Sequence, residues 1–183
     1  MSSLKGFLLI ASPKLRDPSF YKSVVLIIRH EEDGAVGLVL NRPSNTAVSE
    51  IWDRLSDTTC QSNEVLQLGG PVEGPLMAVH ARPMLSDSEV VEGVYFSAEQ
   101  EKLEQLVARP EGPMRFFIGY AGWTAGQLED ELEQGAWATV RATSETIFGP
   151  TEDAWEQLNK QAMALGILAA LNIKHVPDDP SLN

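Results

Sequence analysis

Between Arg115 and Leu132 the chain reads R-F-F-I-G-Y-A-G-W-T-A-G-Q-L-E-D-E-L. An apolar run, closely spaced glycines and an acidic amphipathic segment follow one another without a break. The order predicts a buried strand over Met114–Ala121, a glycine turn, and a helix. That helix opens at Thr124-Ala125-Gly126-Gln127 as a capping box and stops at Gly135, a good C′ residue. A strand apolar on both faces needs cover on both sides, so the segment implies a layered fold around a central strand.

The other segments fit such a fold. Leu4–Ala11 and Ser23–His30 are apolar and rich in β-branched residues, as in buried strands. Glu31-Glu32-Asp33-Gly34 separates Ser23–His30 from Ala35–Asn41 and marks a hairpin. Arg42-Pro43 ends that strand, because proline has no amide to give to a ladder. Val48, Ile51, Trp52 and Leu55 recur at helical spacing. Val65–Leu68 reads as a strand stopped by Gly69-Gly70-Pro71, and Leu76–Ala81 and Val90–Phe96 read as extended. Ser97-Ala98-Glu99-Gln100 is a second capping box, ahead of a helix to about Arg109 and a turn over Pro110–Pro113. Ala136–Ala142 alternates as a half-buried strand. A last helix over Asp153–Leu165 turns Trp155, Leu158, Ala162 and Leu165 inward and stops at Gly166. Hairpins come early, helices late, and no regular strand–helix alternation appears. The reading is α+β: one domain over residues 1–174, a mixed and mostly antiparallel sheet or sandwich flanked by about four helices, and a frayed tail over 175–183.

Composition narrows the function classes. The 183 residues favour one domain with a real core. Net charge is −12. Met1–Arg54 is close to balanced, and the acidic excess falls on the remainder of the chain. Such a surface repels duplex DNA, and the scattered Lys14, Arg16, Lys22, Arg29, Arg42 and Arg54 form no basic stripe. Direct nucleic-acid binding is therefore not expected. No apolar run is long enough to span a membrane, and the short apolar N-terminus lacks a cleavage site after it, so the cytoplasm is the expected compartment. Cys60 is the single cysteine. It can make no internal disulfide, and no basic neighbour in sequence activates it.

Four segments in register carry a family resemblance. They are G-F-L-L-I-A-S-P-K-L-R-D-P-S-F-Y-K-S-V (Gly6–Val24), H-E-E-D-G-A-V-G-L-V-L-N-R-P (His30–Pro43), L-G-G-P-V (Leu68–Val72) with His80 downstream, and G-Y-A-G-W-T-A-G-Q-L-E-D-E-L (Gly119–Leu132). Over nearly the whole chain they resemble the AlgH/YqgE family. The resemblance implies a compact bacterial cytosolic protein with a mixed sheet, and a link to transcriptional regulation without an assigned mechanism. Some members carry a cysteine two positions before the histidine of the second segment, where this chain has Ile28, so a thiol role shared by the whole family does not carry over.

Catalytic and metal motifs are absent from the sequence: no C-x-x-C, no H-E-x-x-H and no G-x-S-x-G elbow. His30 and His80 stand near strand ends. If they converged with Asp17 or Asp33 they would make a metal site; the plainer reading is that each caps a strand or a loop. Either histidine is also the candidate general base of an alternative, enzymatic reading. No metal and no cofactor is expected. The run Glu129-Asp130-Glu131-Glu133 reads as a solvated helix face complementing the dipole. Gly119, Gly122 and Gly126 could lead an anion to a helix N-terminus or simply allow close packing. Asn41, Arg42, Gly70, Pro71, Tyr120 and Trp123 fall at strand ends and turns, where they either converge as a binding patch or, for the two aromatics, anchor the core. The leading expectation is a non-catalytic regulatory or binding protein whose partner is a small molecule or another protein.

Overall fold

β2 (Val24–Glu31) and β3 (Gly34–Val39) form the hairpin that the sequence announces, joined by Glu32 and Asp33. Gly34 is needed for more than the turn. Its φ is +134°, and a Cβ there would lie 2.1 Å from the Trp123 carbonyl oxygen, so a side chain would force β3 off its neighbour. That neighbour is β9 (Met114–Thr124), the long strand of the opening segment. A computed structural model describes residues 3–170 of the chain. The 175–183 tail and the last residues of the 1–174 domain lie outside the described residues.

β9 organises the sheet. Along one edge it pairs antiparallel with β6 (Val72–His80). Its other edge is shared: β3 takes Ala121–Thr124, and β5 (Val65–Leu68) takes Phe117–Ile118 in the one parallel pairing among the described strands. From β3 the ladder continues through β2 and β1 (Phe7–Ala11) to β10 (Trp137–Arg141). From β6 it continues through β8 (Val94–Ser97) to β7 (Ser88–Val91). β4 (Pro43–Ala47) hangs on β5. The sheet curls until β7 returns against β2, and a Cβ added at Gly6 would lie 2.7 Å from Val91 Cγ1. The fold is α+β, with one curled and mostly antiparallel sheet of ten strands among the described residues.

Two cores lie against this sheet. The larger is built from β1, β2 and β3 with Met77, Val79, Phe117, Ala121, Trp123 and Trp137. It is covered by α3 (Gln127–Glu133), α4 (Ser144–Phe148) and α5 (Ala154–Ala170). The smaller gathers Trp52 of α1 (Val48–Leu55) and Leu103, Leu106 and Val107 of α2 (Gln100–Ala108) over Leu66, Leu76, Ala78 and Phe116. Arg115 of β9 is half-buried and donates to the carbonyls of Leu40 (3.2 Å) and Gly149, tying the loop after α4 to the sheet.

Several sequence readings need correction. β3 does end ahead of Pro43, but a strand not read from the sequence, β4, starts there, with Pro43 opposite Gln67 in the outermost strand of its branch, where a missing amide costs least. Val90–Phe96 is two strands, turned at Glu92-Gly93. Ser97 does not cap α2. Its hydroxyl points into the core, and the Asp87 carboxylate accepts from Ala98 N (2.6 Å) and Glu99 N (3.2 Å) instead. Of the Thr124 box only half forms, the Gln127 side chain accepting from Thr124 N at 3.1 Å. Gly166 does not stop α5, which runs on to Ala170, and Leu165 is half exposed, not inward. α4 was not visible in the apolar pattern; Thr143 caps it, accepting from Thr146 N.

Candidate functional site

The two histidines do not converge. His80 faces Met114 across the β6–β9 ladder, whereas His30 faces Ala35, which faces Trp123. Met114 and Trp123 are nine residues apart on β9, about 30 Å of strand. Asp17 turns back on its own loop, accepting from Ser19 N, and Asp33 pairs with Arg29 at the surface. Among the described residues no group of three or more His, Cys, Asp or Glu side chains is placed to hold a metal ion.

Each histidine is instead wired into the fold. His30 Nδ1 accepts from Leu4 N (2.9 Å), which places the ring proton on Nε2, 2.9 Å from Glu129 Oε1. His80 is fully buried. Its Nδ1 accepts from Arg82 N (3.1 Å), so Nε2–H donates to Ser97 Oγ (2.8 Å), and the Ser97 hydroxyl donates onward to the Leu85 carbonyl. This is a serine–histidine pair run in the opposite sense from a nucleophile and its base, since the histidine gives a proton to the serine. Burial, with help from Arg82 and against Asp87, pushes the His80 imidazole down to about 4.

The acidic run is not a solvated face throughout. Glu131 accepts from the indole N–H of Trp123 (2.9 Å) and of Trp137 (2.8 Å), and Gln127 donates to its other oxygen (3.0 Å). Phe20 completes the cluster, stacked on Trp123 and edge-on to Trp137. Glu129 meets His30. The segment from Trp123 to Glu131 is thus a hydrogen-bonded clamp between β9, α3 and β10, and Trp123 sits in the core.

The remaining residues of the expected patch are spread over separate surfaces. The Asn41 side chain accepts from Val24 N (2.9 Å) and donates to Lys22 O (2.9 Å), imitating a strand pairing across Lys22, whose φ of +53° is left-handed. Arg42 donates to the carbonyls of Asn41 and Tyr21. Both line a shallow recess of about 240 Å³ with Trp155 and Glu156. Gly70 and Pro71 line a different recess, of about 400 Å³, beside Leu68 and Ile118. Gly70 lies so close to β9 that a Cβ would fall 2.2 Å from the Tyr120 carbonyl carbon, which explains that glycine by packing. Cys60 lies apart from all of these, and burial pushes its thiol up, away from the reactive thiolate.

Tyr120 alone of the expected residues faces a large apolar cleft, of about 420 Å³, inside the curl of the sheet. Ile28, Val36, Met77, Pro75 and Phe96 supply its walls, and Lys5, Arg29, Glu31 and Ser88 its polar edge. Two features shape it. β2 bulges between Ile27 and Arg29, so Ile28 is the extra residue and is turned to the cleft. Gly74 and Gly122 make room for the Tyr120 ring: a Cβ at either would lie 2.9 or 3.3 Å from ring carbons. The cleft has the size and apolar lining of a small-molecule site. Its residues come from six strands and the segment before β1, and no local motif joins them; the spaced glycines around Tyr120 are the one signal visible in sequence.

Known proteins share this architecture. The AlgH-like family model matches residues 8–165. A UPF0301 protein of Streptomyces avermitilis is 39% identical, covering 100% of this chain and 97% of the relative. One from Chlorobaculum tepidum is 34% identical over 97% of this chain and 95% of its own. The solution structure of AlgH from Pseudomonas aeruginosa superposes with a TM-score of 0.74 at 30% identity, covering 97% of both chains. A crystal structure from Corynebacterium diphtheriae gives 0.69 at 26% identity, covering 88% of this chain and 87% of that one. On this match of sequence and architecture the chain belongs to the AlgH-like family.

Proposed function

We propose that this is a non-catalytic cytoplasmic binding protein that holds a small molecule in the Tyr120 cleft and acts in regulation, with an indirect effect on transcription. The cleft carries the reading: an apolar hollow of about 420 Å³ with a few polar groups at its edge is built to take up a ligand and orient it. The histidines support the non-catalytic part, since every ring nitrogen of His30 and His80 is engaged within the fold. The net charge of −12 favours an indirect route over DNA contact. No helix among the described residues is long and apolar enough to cross a membrane.

Thermal unfolding against a panel of metabolites tests the reading. A ligand at about 100 times its dissociation constant adds about 2.7 kcal/mol, or roughly 5–10 °C for a domain of this size. The expected result is a shift with at least one small molecule that disappears when Ser88→Phe fills the cleft. A shift that survives the filling variant, or turnover of the compound that His30→Ala abolishes, would overturn it.

A further inference from the structure

Resting on the cleft as a binding site, we infer that it selects an amphipathic anion: a compact apolar body ending in one carboxylate or sulfonate, with Lys5 taking the charge. The walls formed by Ile28, Val36, Met77 and Phe96 suit the body. The polar edge decides the head group. Two cations stand there, and they are not equivalent. Arg29 is already shared between Glu31 Oε2 and Asp33 Oδ2, each at 3.2 Å, so its charge is taken up within the protein. Lys5 lies on the same rim, and among the described residues no carboxylate pairs with it.

The neutral groups point the same way. Ser88 and Tyr120 line the cleft, and among the described residues neither hydroxyl makes a hydrogen bond to another group of the chain. One ammonium and two hydroxyl donors make a complementary set for an oxyanion, and charge-assisted bonds of this kind are the strong ones. On a protein of net charge −12, an ammonium with no carboxylate paired to it among the described residues has its charge left for a bound anion.

Fluorescence titration with two probes of the same ring system tests this. 8-Anilinonaphthalene-1-sulfonate carries the anion, and N-phenyl-1-naphthylamine lacks it. The wild-type protein should bind the sulfonate about three- to tenfold more tightly at low salt. Lys5→Gln, an exposed change, should remove most of that preference and leave the neutral probe unaffected. Ser88→Phe should weaken both, with Val36→Trp as the second filling variant should Ser88→Phe fail to fold. Equal binding of the two probes by the wild type, or a preference unchanged in Lys5→Gln, overturns the anion assignment while the cleft stands. Binding of neither probe, or binding of both untouched by the filling variants, overturns the cleft reading itself.

Discussion

Acidification should loosen this fold through one buried ring. His80 is neutral in the folded protein: Nδ1 accepts from Arg82 N and Nε2–H donates to Ser97, so a second proton would have to enter Nδ1 and face another donor. Its folded value is about 4, against an ordinary 6.5 in the unfolded chain. Between those values the unfolded state binds a proton that the folded state refuses. Stability is therefore fully present above pH 6.5 and falls with pH through the window down to about 4. At 1.36 kcal/mol per unit, the loss is about 2 kcal/mol at pH 5 and about 3 kcal/mol once pH is below 4. Two kilocalories lower Tm by roughly 4–8 °C for a chain of this length. The assay is urea unfolding at several pH values from 7.5 to 4.5, on the wild type and His80→Gln. The variant loses the acceptor for Arg82 N and should be less stable at pH 7 by about 1–3 kcal/mol. Its acid dependence should be shallower by about 2 kcal/mol between pH 7 and pH 5. Every other titrating group is common to both proteins, so the difference isolates His80. Parallel pH curves for the two proteins would refute the argument.

Three further outcomes follow from the clamp, the hairpin and one unpartnered atom. Glu131→Leu leaves two indole N–H groups without an acceptor and should cost about 2–5 kcal/mol by urea unfolding, with Glu131→Gln costing clearly less because one carbonyl oxygen remains. Gly34→Ala, driving a Cβ to 2.1 Å from the Trp123 carbonyl, should cost more than about 3 kcal/mol or abolish soluble expression; Gly93→Ala, at φ +75° in open space, should cost about 1–2 kcal/mol in the same assay. Gln67 Oε1 is buried with no partner among the described residues, so Gln67→Leu should raise the unfolding free energy in urea by about 1 kcal/mol.

The strands and helices with local signals are legible in the sequence. Asp33-Gly34 between two apolar runs announces the β2–β3 hairpin, and the order of glycines and acids after Phe117 announces strand, turn and helix. Pro43 hides β4, because proline is tolerated in an outermost strand and only the pairing with Gln67 reveals it. Gly166 misleads at the other end, since a glycine inside a helix costs only about 1 kcal/mol and α5 continues through it. The site is less legible than the fold. Tyr120 and its glycines are adjacent in sequence, but Lys5, Ile28, Met77, Ser88 and Phe96 reach the cleft only because the sheet curls until β7 meets β2. Glu131 looks like one surface acid among four until β10 brings Trp137 to it. Ser97 fits a capping box until His80, seventeen residues earlier, claims its hydroxyl.

The most direct test of the binding account is a ¹H–¹⁵N map of the protein titrated with the metabolite that stabilises it most. The account predicts that the largest amide shifts fall together on Lys5, Ile28, Val36, Ser88 and Tyr120, and that they saturate at the dissociation constant found by thermal unfolding. Shifts centred on His30 or His80, or on the recess beside Asn41 and Arg42, would contradict it.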